Sequence, residues 1–509
     1  MTSTAIVQQI RVDGAANRRQ LIADFLKDAS TWRPAGFEVS RRRRRAHYSG
    51  EATYYIEKRL EQFFPNTWKN IPVYPYRFAY LSAATVASFY DEQPVRTLVD
   101  GVTGEVLEPE HAMSEAFREL IEQSRAAVKL PEADRRAVWM GDSVVAVRAR
   151  PMRNTVSGEI EQVVRLELHE ADAAWVLPDA RSPTDLQMAR GFCLRVRVTD
   201  EDGRATTGYE LWTREEGGPW LHSIERLDGD PLTEVEPYGG QLLPFIMLHA
   251  EDPDGLPYVE RGDDDVTVVE MLNVDMADEA YIAHMQGHTE KVYRGTRKTS
   301  TEMVGGPGAI LQIDPAEQLD ALDYNPKLEA LRTAALQRQK TWALTNRINL
   351  DAFSIDAQVP ESGVARTVKN EPQDKMRRER DALLVEMEEG ALWPVAADVW
   401  NTFVDPARAI TGVRFQVQGR RRPAYEDPEA KQRRLEADLR VGVISVARYA
   451  VEMGHFAAIE DAVAAGLPDT LKAAAPAPAP IAGPAPSRFA MRLAEARGDE
   501  PAPGGEDEL

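Results

Sequence analysis

Gly262-Asp263-Asp264-Asp265-Val266-Thr267-Val268-Val269-Glu270-Met271-Leu272 opens the stretch, Gly262 to Trp400, around which the rest of the chain is organised. The three aspartates sit where a helix N-terminus favours capping oxygens and negative charge. Val269, Leu272, Met276, Ala280 and Ala283 then recur at helical spacing on a narrow row, while Asp275, Asp278 and Glu279 occupy other faces. Such a helix, continued to His288, is roughly 37 Å long at the α-helical rise. A short glycine-broken unit, Val292 to Ile313, contains Gly305-Gly306-Pro307-Gly308 before Ala309-Ile310-Leu311 and reads as a turn before a short strand. A second helix, Pro326 to Ile348, carries Leu328, Leu331, Ala335 and Trp342 at helical spacing. An acidic loop follows, Asn349 to Ser362, with Asp351, Asp356 and Glu361 and the apolar Phe353 and Ile355. Last comes a long helix, Val364 to about Trp400, with Met376, Leu383, Met387, Ala391, Val395 and Val399 in its apolar row. Pro394 falls inside that row and is expected to kink it, since it lacks a backbone donor and clashes with the preceding turn.

Bulk properties bound the function. A chain of 509 residues has room for two to four cores. It has no run of about 18 apolar residues, which a transmembrane helix needs, and no basic segment followed by an apolar core at Met1 to Ala5. The single cysteine, Cys193, excludes an intrachain disulfide framework and fits a reducing cytoplasm. A net charge of −21 argues against a surface that grips nucleic acid, because that grip comes from Lys and Arg on phosphates. It is compatible with a wall that lets DNA slide past without sticking.

Residues 1–50 are polar and end in Arg41 to Arg45, which we expect to be a solvated or partner-facing arm. Helices are expected over Tyr54 to Phe64, Tyr76 to Tyr90 and Ala112 to Val128. From Ala137 to Met247 the period becomes two, with strands at Ser143 to Ala149, Val164 to Leu168, Phe192 to Val198, Tyr209 to Trp212, Trp220 to Ile224 and Leu242 to Met247. Cys193 lies on the polar side of its strand and reads as structural. After the long helix come a strand at Val413 to Val417, the basic run Arg420 to Arg422, a helix from Pro428 to Val441 and a helix Val446 to Met453 capped by Ser445. The Ala-Pro repeats from Ala473 to Pro486 cannot bury a core.

Catalytic signatures are missing from the sequence. His169-Glu170 lacks the second histidine of HExxH, the glycines near Gly305 match no phosphate loop, Ser362-Gly363 is in no nucleophile elbow, and Asp252 to Pro257 lacks most ligand positions of a calcium loop.

The order of elements resembles the portal proteins of tailed, long-tailed double-stranded DNA bacteriophages. The residues that carry it are Gly255-Leu256-Pro257-Tyr258 before the first helix, Ser362-Gly363-Val364-Ala365 opening the long one, Phe415-Gln416-Val417 with Asp427 after it, and Gly442-Val443-Ile444-Ser445. The resemblance spans about Glu51 to Phe456. It implies an α+β, ring-forming fold: a wing at 51–258, a stem helix at 259–290, a clip at 291–325, a second stem helix at 326–348, a tunnel loop at 349–363, a long wing helix and strand at 364–426, and a crown at 427–470. The 1–50 arm and the 471–509 tail have no counterpart in it. It further implies a homododecamer at one capsid vertex of the virion, assembled in a bacterial cytoplasm, through which double-stranded DNA is packaged and ejected. Asp351, Phe353, Asp356 and Glu361 would then line the DNA channel, and Tyr293, Arg294, Arg297 and Lys298 would form the clip surface that docks the terminase large subunit and later the head–tail connector. Major capsid protein and scaffold would be further partners, with no membrane, catalytic residue, cofactor or metal. The competing readings are another virion structural or adaptor protein, and a hydrolase without a recognisable motif.

Overall fold

The computed structural model describes residues 15–153, 158–199, 203–215, 217–227, 232–286, 291–294, 318–321, 328–348, 363–419, 428–441, 444–453 and 459–468. The chain divides into two units, Met1–Arg422 and Pro423–Leu509. The architecture is mixed α and β, as expected.

The first unit is built on two antiparallel sheets. Strands β2 (Asp142–Arg153), β3 (Ile160–Glu170) and β9 (Phe245–His249) form one, in the order β3-β2-β9. Strands β4 (Ala174–Leu177), β5 (Gly191–Thr199), β6 (Ala205–Thr213), β7 (Leu221–Glu225) and β8 (Glu236–Pro237) form the other, in sequence order. Alternation along β2 sends Val144 and Ala146 to one side and Val145 and Val147 to the other, and both sides are buried. The first pair meets Phe192, Leu194 and Trp212 of the five-stranded sheet, which makes a sandwich core. The second pair meets helices α5 (Ala112–Ser124) and α6 (Ala126–Met140) and the C-terminal half of the long helix. The three-stranded sheet is therefore the middle of three layers.

Four expectations need correction. The helix expected over Ala112 to Val128 is two helices, because Arg125 adopts φ 57° and breaks the run, and α6 extends to Met140, past the Ala137 where the β region was placed. A short strand, β1 (Val95–Asp100), was not foreseen; it pairs antiparallel with β12 (Val413–Gln418), with Leu98 opposite Phe415. Cys193 is fully buried on a side of β5 that its neighbours made look polar. That side is covered by α1 (Ala15–Ser30), whose Ile22, Phe25 and Ala29 pack on Trp175, Cys193 and Leu211. Burial raises the Cys193 thiol far above its ordinary range, which keeps it unreactive.

The largest correction concerns Arg41 to Arg45. The run is no arm: it forms helix α2 (Phe37–Ser49), closed by Gly50 at φ 84° and folded into the interior of the unit. Arg41 and Arg44 are 4% and 0% exposed. A guanidinium can be buried there because acids and carbonyls receive it. Arg41 donates to Asp142 at 2.6 Å and to the Val259 carbonyl at 2.8 Å. Burial lowers its pKa to about 10, against the pull of Asp142, so it stays charged at neutral pH. Gly141, at φ 98°, lies against that guanidinium, where any Cβ would collide with it. Arg44 forms a two-pronged pair with Asp265 at 2.6 and 2.9 Å and donates to the carbonyls of Trp139 and Gly262. Arg42 alone of the five faces solvent openly.

The long helix is legible end to end: α9 (Gly363–Met387), a π turn (Glu388–Leu392), α10 (Trp393–Val399) and a second π turn (Trp400–Val404). Pro394 falls in the first turn of α10, next to the π turn, so the helix takes up the missing donor by a change of winding. Polar tethers hold the helix along its length. Arg380 pairs with Asp134 at 2.6 Å and donates to the Ala250 carbonyl at 2.8 Å, Arg96 grips Glu388 at 2.6 and 2.9 Å, and Asp398 accepts from the backbone of Gln241 and Leu242.

The second unit holds three helices among its described residues: α11 (Pro428–Val441), α12 (Val446–Glu452) and α13 (Ile459–Ala464). As expected, Ser445 caps α12, accepting from the Arg448 amide at 3.1 Å. Leu435, Ala447 and Ala450 are buried. Residues 471–509 lie outside the described residues.

Removing one partner of a buried ion pair strands the other charge, so Arg44→Ala should cost about 3–5 kcal/mol of unfolding free energy. Arg42→Ala should leave the denaturation midpoint where it is, and urea unfolding of the two variants checks the contrast.

Candidate functional site

The site is the helical hairpin that the sequence places between the wing and the long helix. Its first helix, α7, runs from Asp264 to Gln286 and its second, α8, from Leu328 to Thr345, both within a few residues of expectation. Between them in the chain lies a two-stranded antiparallel ribbon, β10 (Lys291–Arg294) with β11 (Gln318–Ala321). The helices are antiparallel. Arg338 pairs with Asp275, and Arg332, nearer the start of α8, pairs with Glu279, nearer the end of α7, at 2.6 Å. At the base of the hairpin Trp342, Ala343 and Ile348 pack with Val266 and Val269 and with Trp139 and Ala83.

The N-terminus of α7 is anchored by α2. Asp263 accepts from Ser40 at 2.6 Å and from Arg43 at 3.1 Å, and Asp265 is held by Arg44. One turn on, the buried Glu270 receives Arg43, Arg59 at 3.0 Å and His47 at 3.3 Å. Burial would raise the Glu270 carboxyl, but hydrogen bonds from Arg43, His47 and Arg59 outweigh it and hold it at about 2. The aspartates assigned to capping therefore also serve as counter-ions. Sequence reasoning missed these arginines as site residues. The usable signal was their phase: Arg41, Arg44 and Tyr48 recur at i, i+3 and i+7 between Gly36 and Gly50 and mark one face of a helix.

Helix α3 (Thr53–Phe63) covers α7 from another side, with Ile56 and Leu60 against Val274 and Ala277. On α7 those two residues point away from Asp275 and Glu279, so α7 is sandwiched between α3 and α8. On α8, Leu344 faces away from Arg338 and Trp342 and is 76% exposed, and Leu336, on the flank one turn beyond Arg332, is 54% exposed.

Tyr293 and Arg294 lie on β10, opposite Leu319 and Gln318 of β11. Arg297, Lys298, Asp351, Phe353, Asp356 and Glu361 lie outside the described residues, as does the glycine turn at 305–308. The two ends of the acidic segment are fixed: Ile348 is buried at the foot of α8, and Gly363 begins α9. Among the described residues no group of three or more His, Cys, Asp or Glu is placed to hold a metal ion, and no helix is long and apolar enough to cross a membrane.

A carboxylate held far below its unfolded value of about 4.5 contributes stability that is present above that pH and lost as pH falls toward 2. Glu270→Gln should therefore lower stability at pH 7 and make it less dependent on pH between about 4.5 and 2. Thermal melts of both proteins across that range check the slope.

No protein-family model matches the chain, and no curated protein matches it. Among solved structures the chain is similar to the neck of a native GTA particle computed with C12 symmetry, at 10% identity and a TM-score of 0.38, over 74% of this chain and 89% of that one. It is also similar to the neck of an empty GTA particle computed with C6 symmetry, at 11% identity and a TM-score of 0.39, over 79% and 93% of the two chains.

Proposed function

We propose that the chain is a phage portal protein: a homododecameric ring at one capsid vertex that passes double-stranded DNA inward during packaging and outward at ejection. The observation that carries this reading is the antiparallel hairpin of α7 and α8. It bears a small ribbon between its helices, and its return helix leads through an acidic segment directly into a long helix tethered across the wing. A narrow helical stalk cannot bury itself alone, and identical neighbours around a ring supply the missing cover. The exposed Leu344 on the outer face of α8, with Leu336 on its flank, is what such a neighbour would cover.

In this reading the protein does no catalysis. Asp351, Asp356 and Glu361 put like charge on the channel wall, so DNA phosphates are repelled and slide. The ribbon and its extension, with Tyr293, Arg294, Arg297 and Lys298, dock the terminase large subunit and afterwards the head–tail connector. Major capsid protein and scaffold surround the ring.

Negative-stain images of the purified chain should show rings with a central hole and twelvefold or near-twelvefold symmetry. Monomers or small dimers at high concentration would instead favour another virion adaptor. Leu344→Asp should shift the rings toward monomers in sedimentation velocity, since it places a charge in the buried inter-subunit face.

The double variant Asp351→Lys and Asp356→Lys should assemble normally yet stall DNA packaging in a reconstituted packaging reaction. Full packaging by that variant would remove the acidic segment from the channel.

A further inference from the structure

Between α3 and α4 (Phe78–Val86) the chain passes through Ile71-Pro72-Val73-Tyr74-Pro75-Tyr76 without helix or strand. Each proline locks its own φ and keeps the residue before it extended, and Ile71 sits at φ −86° and ψ 119°. This segment is fastened to α7. Val73 packs with Ile56, Val274 and Ala277, and the Tyr76 amide donates to Asn273 Oδ1 at 2.7 Å. Two large aromatic side chains remain outside, Tyr74 at 63% and Tyr76 at 46% exposure.

Helix α7 fixes where this aromatic side lies relative to α8. Asn273 holds the segment and Asp275 holds α8 through Arg338. Two residues apart on a helix, they point about 160° away from each other. The tyrosines and α8 are therefore on opposite sides of α7 at one height. On α8, Lys340 and Leu344 each lie two residues from the buried Trp342, so both point about 160° away from it. They belong to an outward row of Thr333, Gln337, Lys340, Leu344 and Arg347, all exposed and none acidic. Arg347 pairs with Glu379, whereas Lys340 forms no ion pair among the described residues. The hairpin thus shows an aromatic side and, opposite it, a side with an uncommitted cation and an exposed leucine.

We propose that these two sides are partners: in the portal ring, on which this inference rests, the outward row of α8 on one copy docks onto Tyr74 and Tyr76 of the next. A head-to-tail ring needs two different complementary patches on opposite flanks of one subunit. Rotation about an axis along the hairpin leaves every residue at its own height, so the two patches meet level. Their chemistry matches. An ammonium is attracted to the face of a tyrosine ring, the lysine stem and Leu344 cover the rest of it, and tyrosine is a favoured interface residue.

The test places the photo-cross-linker p-benzoylphenylalanine at position 344 of the full-length protein. Rings assembled from equal amounts of 15N-labelled and unlabelled chains are irradiated, digested with trypsin and analysed by mass spectrometry. We expect mixed-label cross-links to the peptide of residues 70–77. Rings whose cross-links fall elsewhere overturn this contact alone, whereas a wild type that forms no rings overturns the portal reading as well. Should the probe at 344 itself prevent assembly, Gln337 on the same row carries it instead. A charge exchange gives the second measurement. Lys340→Glu and Tyr74→Lys should each raise the concentration for half-assembly at least fivefold in sedimentation velocity. An equal mixture of the two variants should assemble near the wild-type concentration, because alternating copies put opposite charges at one interface and the native pair at the next. Unchanged assembly of the single variants, or a mixture no better than either, overturns the pairing.

Discussion

Burying a guanidinium is the constraint on which the rest of the first unit depends. Arg41 and Arg44 are out of water, and a charge out of water needs acids and carbonyls to receive it. Asp142 at the start of β2, Asp265 at the start of α7, and the carbonyls of Trp139, Val259 and Gly262 meet them. Those groups come from the end of α6, the sheet, the linker after β9 and the start of α7, so one helix of 13 residues joins four parts of the fold. Such a cluster adds little net stability over an apolar equivalent, because desolvation offsets most of its attraction. What it contributes is placement, because the buried guanidiniums tie α2 to the sheet, to the end of α6 and to the start of α7 at once.

The same logic runs along the long helix. Apolar packing fixes its C-terminal half, where Leu392, Trp393, Ala396 and Trp400 are buried among α5, α6 and β12, with Trp393 edge-on to Phe117 at 5.3 Å. Among the described residues of its N-terminal half, Arg380 reaches Asp134 and the Ala250 carbonyl. Glu388, at the junction, is fully buried and fully used, by Arg96 on one side and the Trp393 indole on the other. Glu388 shares the inward face of Arg380 and Leu384 at regular α spacing, and the π turn begins from it.

Much of this was legible from the sequence, and the failures share a cause. Helices with a strong local signal came out within a few residues: α7 from its aspartates and narrow row, α11 from Pro428 to Val441, α12 from its serine cap. So did the strands whose partners are sequence neighbours, such as Phe192 to Val198 with its return. Apart from the break at Arg125, which is local, the misses are long-range. The polar side of β5 is buried because α1, more than 160 residues earlier in the chain, lies on it. β1 is a strand because β12 pairs with it from the far end of the unit. Five arginines in a row look like a solvated arm until acids at positions 142, 263, 265 and 270 are brought to them. Of the proposed site, the hairpin could be read in advance, whereas its anchorage could not, since charge pairing across 100 or more residues leaves no mark on local periodicity.

The unequal fastening of α7 has a mechanical meaning. Its first two turns are clamped by Arg43, Arg44 and Arg59, while its last two are joined to α8 by the Arg332–Glu279 ion pair. A rod of 23 residues, about 34 Å long, held in this way is clamped at its foot and propped at mid-length by α3 and α8. A sideways load on the ribbon end is therefore shared between those props and the clamp. The buried arginines thus lie where a load from the ribbon would pass from α7 into the sheets.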